Sequence, residues 1–198
     1  MNLTTKEITL VAIFPALMAA TSWLTIPIGI GAPITLQTLF VMMAGLILGK
    51  KLGTISVFVY VMLGAIGIPV FAGMQGGIGV ILGPTGGFII AFILMAYLSG
   101  IMKNIKIINN EYIDLFLILI FINFIVYMIG GTYMSFIINT NLSSTVGILG
   151  QYIFGDFIKI VIAIYAYLNI RSYVTYEHTE IWKWNKSFDI QINLTRLF

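Results

Sequence analysis

The stretch from Leu52 to Met102, LGTISVFVYVMLGAIGIPVFAGMQGGIGVILGPTGGFIIAFILMAYLSGIM, runs without a single Lys, Arg, Asp or Glu. Residues 8–49 and 115–155 are charge-free in the same way. About 20 apolar residues cross the hydrocarbon core of a bilayer, so each tract holds about two crossings if a turn divides it. Over the 198 residues, 60% are hydrophobic and 9% charged, with a mean hydropathy of +1.04. A soluble domain carries about 25% charged residues and could not cover its surface with so few. The chain reads as a polytopic membrane protein.

Turn-forming strings and charges divide the tracts into six spans, near Ile8–Ile26, Ile34–Leu48, Leu52–Phe71, Gly86–Met102, Tyr112–Gly130 and Val146–Ile170. The first break is Pro27–Ile28–Gly29–Ile30–Gly31–Ala32–Pro33, the second Gly49–Lys50–Lys51, and a bend is expected near Gly67–Pro69. Continuous apolar runs predict helices, since barrel strands would alternate over about ten residues. The expected fold is an all-α membrane protein, a bundle of six transmembrane helices in one domain over residues 1–170. With the N-terminus inside, Lys6, Lys50, Lys51, Lys103, Lys106, Arg171, Lys183, Lys186 and Arg196 share one side and the three outer loops hold no basic residue. The positive-inside rule then places both termini in the cytoplasm of a cell-membrane protein. Met1–Glu7 leads into a full-length span, so the first helix is expected to be kept rather than cleaved as a signal peptide. Residues 171–198 form a tail in which Trp182 and Trp184 alternate with Lys183 and Lys186, readable as interfacial or as a mobile terminus.

Several chemistries are excluded. The chain has no Cys, which removes disulfides and thiolate metal sites, and the lone His178 cannot build a zinc site. The basic residues do not cluster as a nucleic-acid footprint would. Gly45–Leu–Ile–Leu–Gly49–Lys50–Lys51 has the wrong spacing for a P-loop and lacks its Ser or Thr, so ATP is not bound that way. No paired intramembrane carboxylates, His–Ser dyad or H-E-x-x-H run supports catalysis. No catalytic residue, metal or cofactor is expected.

Three constellations stand out instead. Asp156 and Lys159, in Tyr152–Ile–Phe–Gly–Asp156–Phe–Ile–Lys159, lie inside the last span and share a helix face at i,i+3. A charge at the bilayer centre costs at least ~2.5–3.5 kcal/mol, so both should point into the bundle or a water-filled cavity, as a ligand site or as a pair that only neutralises itself. The second is Gly73–Met–Gln75–Gly76–Gly77–Ile–Gly79–Val–Ile–Leu–Gly83–Pro84–Thr85–Gly86–Gly87, on the outer side. Glycine lets backbone approach a ligand closely; the apolar residues between the glycines favour a lid over a solvated loop, and Gln75 and Thr85 supply hydrogen-bonding side chains. The third is Ala12, Ala16 and Ala20 on the first span, a small-residue ridge suited to close helix approach, within the bundle or against a partner. Gly45–Gly49–Gly53 carries the same ambiguity. Gln37 could line a cavity or cap a helix.

The Gly-Gly-x-Gly…Gly-Pro-Thr-Gly-Gly run, the Gly-Asp-x-x-Lys of the last span and the Ala ridge together resemble the BioY family, the biotin-specific substrate-binding (S) components of energy-coupling-factor transporters. The resemblance covers about residues 5–170. It departs at Phe88, where members commonly carry Tyr, and loses one hydroxyl. It implies a six-helix S-component fold, biotin bound near the outer face, and assembly with a transmembrane coupling subunit and two ATP-binding-cassette ATPases. The biotin-binding residues it implies are Asp156, Lys159, Tyr152 and Gln37, with Gln75, Gly76, Gly77, Gly79, Thr85 and Gly86 from the glycine-dense loop. Ala12, Ala16 and Ala20 become the docking surface for the coupling subunit. Asp156 can accept from a ureido N–H, and Lys159 can donate to the ureido carbonyl or pair with the carboxylate. The alternatives are an S component for another small vitamin and an intramembrane enzyme using Asp156 and Lys159 as acid and base.

Overall fold

Thr4 opens the first helix, α1 (Thr5–Ala20), with a reciprocal cap: its hydroxyl accepts from the Glu7 N–H, and the Glu7 carboxylate accepts from the Thr4 N–H at 2.8 Å. Such a capping box satisfies two otherwise orphaned donors of the first turn. In the computed structural model, residues 4–26, 33–141 and 152–171 are described, with 145, 147 and 150. The tail after Arg171, the start of the sixth span at Val146 and the turn string 27–32 fall outside the described residues. Five further helices follow: α2 (Gln37–Ala65), α3 (Ile78–Leu82), α4 (Gly86–Met102), α5 (Glu111–Ile137) and α6 (Ile153–Arg171).

Helix α2 has the length of a single crossing but is a hairpin. At Gly49 the backbone takes φ 77°, ψ 178°, which breaks the helix; positive φ is where glycine is tolerated and a side chain is not. The chain reverses there, so that Gly53 packs on the backbone of Ala44 and Gly45, and Gln37 in the first arm reaches Tyr60 in the second. The turn expected at Gly49–Lys50–Lys51 therefore does separate two rods, and six apolar rods result: α1, the two arms of α2, α4, α5 and α6. The first arm, residues 37–48, rises only ~18 Å at 1.5 Å per residue, well short of the ~30 Å core. Irregular backbone must fill the rest of that depth, which is tolerated only where it is buried in protein or lines a cavity.

That filling departs from the expected spans in three places. The first span was expected to reach Ile26, but α1 stops at Ala20, and Thr25–Ile26 (β1) pairs antiparallel with Ile34–Thr35 (β2). The β-branched residues on both sides suit extended backbone, and the two-residue ribbon caps the bundle end. The third span was expected to reach Phe71, but its helix ends at Ala65; Gly67 turns at φ 103° and Pro69 follows. Conversely, α5 continues past Gly130 to Ile137. Gly130 is no breaker, because it makes room for the Phe88 ring on α4.

Close backbone approach assembles the bundle. Gly45 lies against the Ala96 carbonyl and Ser99, and Gly100 against the backbone of Gly49 and Lys50, so α4 sits in the elbow of the α2 hairpin. Ser56 in the second arm donates to the Val11 carbonyl of α1 at 2.6 Å. At the same end as the hairpin turn, Lys103 donates to the Leu46 carbonyl at 2.7 Å and lies 5.5 Å from the Tyr167 ring of α6, and burial there holds its ammonium below the usual lysine range. Arg171 pairs with Glu111 at that end too. Apart from Lys159, the described basic residues thus collect at one end of the bundle, and the β1–β2 ribbon, α3 and the glycine-dense segment collect at the other.

Candidate functional site

One turn inside the N-terminus of α6, the Lys159 ammonium donates to Asp156 Oδ1 at 2.6 Å. Both residues are buried, at 4% and 8% exposure. Two side chains from other helices close the arrangement. Thr38, in the first turn of α2, donates its hydroxyl to Asp156 Oδ1 at 3.1 Å and accepts from Lys159 Nζ at 3.2 Å. Tyr127 on α5 donates to Asp156 Oδ2. The carboxylate thus takes three hydrogen bonds from three helices, as an ion pair buried in an apolar bundle requires.

A second polar cluster stands beside it. The Gln37 amide donates to the Tyr60 hydroxyl at 2.6 Å, and that hydroxyl donates to the Val70 carbonyl at 3.0 Å. Thr35, from β2, accepts from the Gln37 backbone N–H at 3.3 Å and donates to its Oε1 at 3.4 Å. Gln37 therefore lines the cavity without capping its own helix; α2 has no side-chain cap.

Both clusters open into one cavity of about 780 Å³, within the range of small-molecule sites. Its floor is buried and largely apolar, with Phe71, Phe88, Ile89, Phe92 and Val126 around Gln37, Tyr152, Asp156 and Lys159. Its rim is exposed and small, with Gly73, Gln75, Gly76, Gly79 and Pro84. The rim is held in place by paired backbone bonds between Phe71 and Gln75, by the Gly73 N–H donating to the Ser22 carbonyl at 2.8 Å, and by the Gly77 N–H donating to the Gly64 carbonyl at 2.7 Å. The glycine-dense segment is thus folded onto the helices as a cover, with α3 at its centre.

Of the residues expected at the site, Asp156, Lys159, Tyr152, Gln37, Gln75, Gly76, Gly79 and Thr85 line the cavity. Among the described residues the buried Tyr152 hydroxyl has no hydrogen-bond partner, which leaves a hydrogen bond free for a bound molecule. Gly77 and Gly86 do not line it. Gly77 is the turn into α3, at φ 100°, and Gly86 lies where a Cβ would run into the Ile81 carbonyl; both shape the cover. Sequence reading missed Thr38, Tyr127 and Tyr60. Thr38 stood next to Gln37 and carried a signal, whereas the two tyrosines sit in apolar runs that read as lipid or core. Phe88, the position without the expected hydroxyl, is part of the floor.

Ala12, Ala16 and Ala20 are all exposed, while α1 buries Val11, Phe14, Pro15 and Met18 on its other side. The ridge points out of the bundle. Gly45 and Gly53 are spent on internal packing instead. Among the described residues no cluster of His, Cys, Asp or Glu could hold a metal ion.

Apolar helices that shelter an ion pair and a ring of hydrogen-bonding side chains under a folded cover define a class: a multi-pass membrane protein with a covered cavity among its helices. The chain belongs to the BioY family, whose sequence pattern matches residues 1–176. It is 40% identical to the probable biotin transporter BioY of Pyrococcus horikoshii over 159 residues, 80% of this chain and 92% of that one. With the biotin transporter BioY of Rhizobium etli it shares 35% identity over 173 residues, 81% of this chain and 90% of that one. Its fold is similar to the crystal structure of the S-component for biotin from an ECF-type ABC transporter, with a TM-score of 0.79 and 34% identity, covering 86% of this chain and 95% of that one.

Proposed function

We propose that this chain takes up biotin across the cell membrane as the biotin-binding S component of an energy-coupling-factor transporter. Biotin carries a ureido group with two N–H donors and one carbonyl acceptor, an apolar bicycle and an alkyl chain ending in a carboxylate. The observation that carries the reading is the buried Asp156–Lys159 pair on the cavity floor. An adjacent acceptor and donor match a ureido edge, which presents a donor beside an acceptor. Phe71, Phe88 and Phe92 offer the bicycle an apolar wall, and Tyr152 has a hydroxyl to spare. Asp156 accepts from the ureido N–H, and Lys159 donates to the ureido carbonyl.

Energy comes from partners. A transmembrane coupling subunit docks on the exposed Ala12–Ala16–Ala20 ridge, where small side chains let a second helix approach closely, and two ABC ATPases supply the hydrolysis. The chain itself binds and is not an enzyme. Both termini and the basic end of the bundle face the cytoplasm, and the covered cavity faces outward. Isothermal titration of the detergent-purified chain with biotin, without nucleotide or partners, is expected to give one saturable site per chain. Absence of saturable binding would overturn the reading.

A further inference from the structure

We infer that the cavity also accepts biotin whose carboxyl group is already tied up in an amide, as in biotinamide and Nε-biotinyl-lysine; this rests on the biotin reading of the same cavity. The inference comes from where charge is and where it is not. Among the described residues lining the cavity, Asp156 and Lys159 are the only charged side chains, and they neutralise each other at 2.6 Å. Residues 8–49, 52–102 and 115–155, which supply every outer loop, contain no Lys or Arg, so the covering segments cannot bring a cation to the rim. The chain past Arg171 begins at the opposite end of α6 from Lys159.

A free carboxylate at the floor would meet Asp156 as well as Lys159, and the like charge offsets much of the attraction. A neutral donor–acceptor group meets no such penalty. With the ureido edge at the pair, the alkyl chain points to the rim, where Gln75, Thr85 and glycine backbone offer neutral hydrogen bonds. Those partners serve a carboxamide as well as a carboxylate. Space also allows it: at roughly 20 Å³ per close-packed heavy atom, biotin's sixteen heavy atoms fill roughly 300 Å³ of a cavity of about 780 Å³. The twenty-five heavy atoms of biotinyl-lysine need roughly 500 Å³ on the same basis. The cavity therefore discriminates weakly at the carboxyl end.

The test is titration of the purified chain with biotin, biotinamide and Nε-biotinyl-lysine, each also used to displace bound radiolabelled biotin. Both amides are expected to displace biotin competitively, with Kd within about tenfold of its own, the cost of one neutral hydrogen bond. A larger loss for both amides while biotin binds would overturn the inference and leave the biotin reading standing. Failure of biotin itself to bind would overturn the reading beneath it. Lys159→Met gives an independent arm. If Lys159 meets the ureido group, the variant weakens biotin and biotinamide by the same factor. Weakening of biotin alone would assign Lys159 to the carboxylate and overturn the inference.

Discussion

Replacing Asp156 by Asn tests the site at its most constrained atom pair. The carboxylate accepts from Lys159 and Thr38 on Oδ1 and from Tyr127 on Oδ2. An amide oxygen can keep the first two, but the –NH2 now stands where Tyr127 donates, and the negative charge is gone. Hydrogen bonds to a charged group contribute about 1.5–3 kcal/mol each, and breaking a buried ion pair costs about 3–5 kcal/mol. Lys159 keeps Thr38 and the amide oxygen as acceptors, so the loss of fold stability should fall below that upper range. If Asp156 also accepts from the ligand, one charge-assisted bond disappears from the complex. At about 1.4 kcal/mol per decade, biotin affinity should fall roughly 10- to 150-fold. The assay is titration calorimetry on the folded variant, with thermal unfolding of the empty protein measured in parallel. Asp156→Asn combined with Lys159→Met should destabilise less than the two single losses added, because both buried charges leave together. A folded Asp156→Asn variant with wild-type biotin affinity would refute the reasoning.

The glycines should separate by position. Gly86→Ala drives a Cβ into the Ile81 carbonyl and is expected to cost about 1–3 kcal/mol of stability or more, read by thermal unfolding, whereas Gly79→Ala, in open space, should leave unfolding unchanged. Gly77→Val forces a β-branched residue into φ 100° and should loosen the cover, seen as faster biotin dissociation in a chase experiment with labelled ligand. Ala16→Leu alters an exposed position, so the isolated chain should bind biotin normally while co-purification with the coupling subunit falls; equal loss in both would return the ridge to internal packing. Arg171→Ala removes an exposed ion pair with Glu111 and should change stability by no more than about 1 kcal/mol, measured by thermal unfolding.

Local sequence reads local physics, and the division of this protein follows that line. Charge-free tracts decided that the chain crosses a membrane, and Gly49–Lys50–Lys51 decided that the second tract of helix turns back. Asp156 and Lys159 were placed on one inward face because a lone charge facing lipid is costly. Those inferences need only spacing along one helix and the solvent around it. The resemblance to the BioY family rested on the same short motifs.

Tertiary structure decided what meets what. Tyr127 and Tyr60 are invisible as polar groups in hydrophobic runs until α5 and the α2 hairpin bring their hydroxyls to Asp156 and Gln37. The seven glycines of residues 72–87 look alike in sequence, yet Gly76 and Gly79 line the cavity while Gly77 turns the backbone and Gly86 admits the Ile81 carbonyl. Where α1 and the third span stop was also settled in space, because short apolar segments serve equally as helix or as buried irregular backbone. The Ala ridge is the plainest case: small residues four apart suit any close helix contact, and only the burial of Val11, Phe14 and Met18 on the other face of α1 leaves that ridge turned outward.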